Sequence, residues 1–335
     1  MKKVLTAKKS YLDKKSYSVV WRITEKCNFD CDYCGSHNNY APVLPVEKAL
    51  EIARWIPTIK TDYLDTGITG GEPTTYRGFR KVVKELVDGY NKNDRSGRIE
   101  ISTNLTKSVD YYKTLIDICR NTKPELRFFI SYHREFFDYD VMGRRITELK
   151  EYGGQFYPVA FMINTPMCVE EYKAFTSKYN IDCIPSKIFQ RPWVAEGLEP
   201  NFEDGAEGGY VIMYKDGEEY LYENVSPDRI DGITRTELLV TEVGKKKTWV
   251  CLCYDSNISI TSNGEIKPCV LHEEKTDFFD VKKREEAMKK KCVICRIGNC
   301  CDVRVPRYDI SEYRKISNMK WKDIKENVKR RIDDS

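Results

Sequence analysis

Three cysteines stand within eight residues, in the spacing Cys27-x3-Cys31-x2-Cys34. Thiolates this close can grip three corners of a [4Fe–4S] cube and leave the fourth iron without a protein ligand. A structural zinc site takes four protein ligands, and an electron-transfer cluster takes four cysteines. A set of three therefore points to an iron held open for something else. The plainer alternative is a Cys3His zinc knuckle completed by His37, three residues on. A second group gathers late in the chain: Cys251, Cys253, Cys269, Cys292, Cys295, Cys300 and Cys301. Four thiolates there would close a cube with no open corner, which suits electron relay or structure; a structural zinc ribbon is the rival reading. Cys119, Cys168 and Cys183 are scattered and read as buried packing thiols.

Such residues need a frame that presents them together. Strand-like segments at 19–23, 63–69, 98–103, 126–132, 156–163 and 181–189 alternate with helix-like ones. The helical patterns open at Pro45, run around Phe79 to Leu86, and cover 109–119, 141–152 and 169–179. Six β–α repeats predict a parallel sheet with helices outside, because parallel strands need crossover connections. About 170 residues falls short of the ~250 of a complete eight-fold barrel, so the expected class is α/β with a partial (β/α)6 TIM-like barrel. The loop after the first strand, which carries Cys27 to Cys34, would then lie at the C-terminal rim, where catalytic loops gather.

After Pro192 the character changes. Between Glu196 and Glu223 nine acidic residues meet one basic residue, and Lys215-Asp216-Gly217-Glu218 is a hairpin signal. A second hairpin is expected to turn at Asn263-Gly264, and a short charged helix at 282–291. The expected division is an N-terminal extension (1–16), the barrel (17–190), an acidic linker and hairpin (191–250), a late cysteine domain (251–301) and a basic helical tail (302–335). Apolar residues at 41% suffice for a core, while no apolar run approaches the ~20 needed to span a bilayer. The start of the chain has no apolar stretch of signal-peptide type, so a cytoplasmic protein is expected, with its thirteen cysteines reduced or metal-bound rather than paired. A net charge of +4 does not announce a nucleic-acid binder.

The segment Cys27-Asn28-Phe29-Asp30-Cys31-Asp32-Tyr33-Cys34 resembles the signature of the radical S-adenosylmethionine (SAM) enzymes, including the aromatic before the third cysteine. Gly70-Gly71-Glu72-Pro73 is similar to that family's GGEP motif, and Ile101-Ser102-Thr103-Asn104 to its ribose-contacting segment. The resemblance spans roughly residues 17–190. It implies that the open iron chelates the methionine part of SAM and that an electron cleaves SAM to a 5′-deoxyadenosyl radical. A flavodoxin- or ferredoxin-type donor would supply the electron. It further implies that Gly70, Gly71 and Glu72 approach the methionine ammonium, backbone near Tyr33 the adenine, and Ser102 and Asn104 the ribose. Ser131, with Arg144 or Arg145, would hold the carboxylate, and Asn164 is a further candidate.

Cys251, twelve residues to Gly264, four more to Cys269, then Cys292-x2-Cys295 is similar to the twitch domain, the shorter relative of SPASM. That likeness implies an auxiliary [4Fe–4S] cluster, with Cys253, Cys300 and Cys301 as competing ligands. No cysteine follows Cys301, so a second auxiliary cluster is not expected. The expected activity is hydrogen abstraction from a peptide or small-molecule substrate. Some 26 residues precede Cys27, too few for a leader-peptide-binding winged helix, which lowers the peptide reading. A nucleotide or nucleic-acid substrate is the alternative, motivated by the basic tail and 22 tyrosines that could stack bases. A non-catalytic metal-binding scaffold is the rival of a different class.

Overall fold

The computed structural model describes residues 16–31, 34, 40–163, 166–187, 210–215, 218–223, 249–251, 254, 257–270, 272–290, 293–295 and 307–309. Six parallel strands follow one another in space as in sequence: β1 (Ser16–Thr24), β2 (Tyr63–Gly70), β3 (Gly97–Thr103), β4 (Pro124–Tyr132), β5 (Val159–Ile163) and β6 (Cys183–Lys187). Between them run α1 (Val46–Trp55), α2 (Phe79–Lys92), α3 (Val109–Cys119), α4 (Tyr139–Glu151) and α5 (Pro166–Tyr179). This is the expected α/β partial barrel. Helix starts follow local chemistry. Ser108 accepts from Tyr111 N at 3.3 Å to open α3, and Asp138 accepts from Val141 N at 3.0 Å to open α4.

Alternation along the strands decides which way the sheet faces. Val19, Trp21 and Ile23 of β1, Leu64 and Ile68 of β2, Ile99 and Ile101 of β3, and Phe128 and Ile130 of β4 are buried. They pack with Ile52 of α1, Leu86 of α2, Leu115 of α3 and Ile146 of α4 in one core. Each such side chain contributes about 1.5–3 kcal/mol of burial. Their strand neighbours Arg22, Asp65, Arg98, Glu100, Ser102, Arg127, Phe129 and Ser131 are half-buried, on the face that the helices do not cover. A parallel sheet covered on both faces reads as continuous apolar runs; these strands alternate because one face lines an open interior. Low in that interior, Arg98 holds Asp65 with two bonds (2.9 and 2.5 Å), and the Tyr157 ring faces the guanidinium groups of both Arg98 and Arg127.

The fifth strand starts later than the sequence pattern suggests. Phe156 makes only an isolated bridge to Phe128, because Pro158 has no N–H to continue a ladder. Pro185 is tolerated because β6 ends the sheet order.

The acidic segment forms an antiparallel hairpin, β7 (Tyr210–Lys215) and β8 (Glu218–Glu223). The late hairpin β10 (Asn257–Ile260) and β11 (Glu265–Lys267) turns with Gly264 at φ 81°, a left-handed conformation that suits glycine. That hairpin is not separate from the barrel sheet. β10 pairs in parallel with β1, and β11 carries β12 (Thr276–Asp277), so nine strands form one sheet. The helix α6 (Val281–Lys289) follows, capped by Asp280. A three-stranded sheet joins β9 (Trp249–Cys251), β13 (Val293–Cys295) and β14 (Arg307–Asp309). The expected tail helix lies outside the described residues. Among the described residues no helix is long and apolar enough to cross a membrane.

Candidate functional site

The C-terminal ends of β1, β2 and β3 converge on the first cysteine loop. Gly71 N donates to Thr24 O (2.9 Å) and Glu72 N to Lys26 O (2.8 Å), so the turn after β2 lies flat against the chain entering Cys27. A Cβ on Gly70 would overlap the Thr24 carbonyl oxygen, and one on Gly71 the Lys26 carbonyl. The glycines are therefore needed for a backbone-to-backbone approach inside the protein, a reason beyond the SAM contact that the motif resemblance implies.

Glu72 ties the second strand to the third. Its carboxylate is 1% exposed and accepts from Thr74 N (3.1 Å), Thr74 Oγ1 (2.6 Å), Thr103 Oγ1 (2.9 Å) and Asn104 N (2.7 Å). Burial pushes this carboxyl above its ordinary range, and the four donors pull it back. Asn104, also buried, donates through Nδ2 to Asn28 Oδ1 (3.0 Å) in the cysteine loop, while its Oδ1 accepts from Thr106 Oγ1 (2.8 Å). Asn28 in turn donates to Thr106 Oγ1 at 2.9 Å. The Asn104 side chain thus braces the loop directly, and the Glu72 carboxylate holds the Asn104 backbone in place. Leu105, next in the chain, is buried with φ 58°, and Arg145 holds its carbonyl at 2.8 Å and that of Lys107 at 3.0 Å. A strained residue so anchored marks a site whose shape matters. Arg144 is exposed on α4 and Arg145 is committed to this loop.

Within the cysteine loop, Cys34 N donates to Cys31 O (2.9 Å), closing a turn that gathers the second and third thiols. Phe29 N lies 3.4 Å from Cys27 Sγ, and His133 Nδ1 lies 3.6 Å from Cys31 Sγ. Burial pushes the Cys27 thiol up, and so do the nearby Glu72 carboxylate and Cys34 thiol. None of the three is in a disulfide. The donor set fits an iron–sulfur cluster: soft sulfur ligands, with N–H groups placed to hydrogen-bond to the sulfurs. Among the described residues no three His, Cys, Asp or Glu side chains converge as tightly as one metal ion needs.

Ser102 and Ser131 lie on the open face of β3 and β4. Ser131 Oγ is 3.0 Å from His133 Nε2, and desolvation holds His133 down at about 4, against the pull of Glu135. A hydroxyl has one proton, so Ser131 serves either this ring or an incoming carboxylate as donor, not both. Tyr33 and Asn164 lie outside the described residues. Asn28, His133 and Thr103 escaped the sequence reading. The open-face positions carried a signal that went unread, the polar alternation of parallel strands.

The late cysteines are spread over several elements. Backbone pairing sets Cys251 opposite Val293 and Cys295 opposite Trp249. Cys269 is buried just after β11. Cys292, Cys253, Cys300 and Cys301 lie outside the described residues. Cys119 and Cys183 are buried, and burial pushes the Cys119 thiol up to about 12, where it is inert.

Residues 21–125, which contain the cysteine loop, the glycine turn and the end of β3, match the Radical SAM superfamily. That stretch reads as a radical SAM domain by this match, and the match supports an enzyme. No curated protein matches the chain in sequence. Among solved structures, native anSMEcpe with bound AdoMet aligns at a TM-score of 0.53 and 13% identity, over 82% of this chain and 80% of that one. The same protein with AdoMet and the Kp18Cys peptide aligns at 0.52 and 14%, over 82% and 80%. Streptococcus suis SuiB bound to precursor peptide SuiA aligns more loosely, at 0.48 and 14%, over 93% and 69%. At these identities the likeness is one of fold. A match to that superfamily implies a [4Fe–4S] cluster and SAM.

Proposed function

We propose that Cys27, Cys31 and Cys34 hold a site-differentiated [4Fe–4S] cluster whose open iron takes SAM, and that the enzyme abstracts hydrogen from a peptide or polar small molecule. The observation that carries this reading is the convergence of three strand ends on the cysteine loop, through Gly71, Glu72 and Asn104. Bound there, the cluster and SAM supply one-electron chemistry that yields a carbon-centred radical able to attack an unactivated C–H bond. The protein's part is positioning. The loop is held by backbone bonds to the glycine turn and by the Asn28–Asn104 contact, so the thiols need little reorganisation on loading. Ser102 presents its hydroxyl to the open face as a candidate SAM contact, Ser131 its hydroxyl oxygen as an acceptor, and Tyr33 and Asn164 are further candidates.

The interior supports a polar substrate. Arg22, Asp65, Arg98, Glu100 and Arg127 line the face opposite the helices, and an apolar ligand there would strip water from charged groups without replacing it. A similar solved structure holds a peptide, and the reading extends that substrate class to this chain. Cys251, Cys269, Cys292 and Cys295 are proposed to ligate an auxiliary [4Fe–4S] cluster that takes or passes the leftover electron. The test is anaerobic reconstitution with iron and sulfide, then SAM and dithionite. Formation of 5′-deoxyadenosine is expected, and a reconstituted protein that forms none refutes the reading.

A further inference from the structure

The ring of His133 is gripped from three directions. Nδ1 lies 3.6 Å from Cys31 Sγ, Nε2 lies 3.0 Å from Ser131 Oγ, and the Phe29 ring meets it edge-on with centroids 5.7 Å apart at 72°. Phe136 stacks on Phe29 at 4.7 Å and 17°, which steadies that contact. His133 follows the end of β4, while Cys31 and Phe29 belong to the loop after β1. The contact therefore spans the barrel mouth from the fourth strand to the first.

We propose that His133 is a positioning residue for the cluster: its Nδ1–H donates a hydrogen bond to the Cys31 sulfur in the cluster-bound state and makes the cluster easier to reduce. The inference rests on the reading that Cys31 is a cluster ligand. An iron-bound thiolate offers only lone pairs, so the ring nitrogen facing it must carry the hydrogen. The Ser131 hydroxyl can then donate to Nε2, which fixes that tautomer and the ring's orientation. Reduction adds negative charge to the cluster and its sulfurs, and a donor aimed at one of them stabilises the reduced form more than the oxidised one. Nothing in the three-cysteine spacing shows this residue; it lies 102 positions away from Cys31.

The test compares wild type, His133→Phe and His133→Asn, each reconstituted anaerobically and counted for iron. The readout is the midpoint potential of the cluster whose EPR signal SAM perturbs. Phe keeps a ring against Phe29 and removes both nitrogens; Asn returns an amide N–H near the place of Nδ1. We expect the Phe variant to shift the reduction equilibrium about tenfold toward the oxidised cluster, about 59 mV for one electron, and Asn to recover most of it. Equal potentials in wild type and Phe, or an Asn variant as low as Phe, overturn the inference. A second readout does not depend on the Phe variant assembling its cluster. In protein labelled with 15N-histidine, pulsed EPR of the reduced cluster should show a nitrogen coupling that survives His37→Gln and vanishes in His133→Asn. No coupling in wild type, or one that follows His37, overturns it as well. Wild type that takes up no iron at Cys27, Cys31 and Cys34 sinks the cluster reading and this inference together; a cluster indifferent to His133 sinks the inference alone.

Discussion

Cys27, Cys31 and Cys34 sit on one short loop, and the backbone and Asn28 contacts described for that loop come from the ends of parallel strands and the turns after them. The late cysteines are arranged otherwise. Cys251 and Cys295 belong to paired strands of a small sheet, while Cys269 is buried after a hairpin that extends the barrel sheet. In the first region the three thiols are set by local chain and the surroundings stiffen them. In the second, separate elements must assemble before any ligand set exists. Loading a metal should thus change the fold little at the first site and much at the second, because binding energy there is also folding energy. Beyond the β1–β10 pairing, Ser262 in the late hairpin's turn donates to Glu25 (3.0 Å), which also holds Arg22, just ahead of Cys27.

The strongest way to break this comparison is to replace Cys27, Cys31 and Cys34 with Ala together. 5′-Deoxyadenosine should fall below detection and iron should drop by about four per chain, with the circular dichroism of the barrel unchanged. Persistent SAM cleavage would refute the assignment of the first region. Next in size is the pair Cys292→Ala, Cys295→Ala. Iron should fall from about eight to about four, and protease resistance of the late segment should fall with it, while SAM still perturbs the remaining cluster. One equivalent of zinc in wild type, with iron only at the first site, would identify the late region as a zinc ribbon.

Smaller effects sharpen the claim that the first loop is braced from outside. Glu72→Ala leaves the buried Asn104 N–H without its acceptor and should cost roughly 3 kcal/mol in urea unfolding, with Glu72→Gln costing less because one oxygen remains. A loss under ~0.5 kcal/mol, the scale of an ordinary surface substitution, would show the brace to be idle. Gly71→Val drives a side chain into the Lys26 carbonyl. If Gly71 served only the approach to SAM, the cluster would survive this change with only SAM binding lost. Because Lys26 adjoins Cys27, the structure instead predicts ~1–3 kcal/mol of destabilisation and weakened iron retention along with SAM affinity. Full iron with only SAM binding lost would restore the simpler view. Asn28→Ala is the mildest, about 1 kcal/mol, seen as faster loss of iron to a chelator.

The order of strands and helices was legible from residue pattern because period-2 and period-3.6 burial dominate local energetics; α3 runs from Val109 to Cys119 in both the reading and the structure. The three-cysteine loop was visible too, since its thiols are near neighbours in the chain. Tertiary structure alone decided the rest. That Glu72 would face four donors, that Gly71 would lie against Lys26, and that His133 would reach Cys31 depends on strand register, which no local pattern encodes. The same holds for β10 joining β1 as a parallel neighbour, some 240 residues apart. Local propensity is set by neighbours within a turn or a pleat, whereas these contacts come from closing a curved sheet, where distant strand ends meet only once the core has packed.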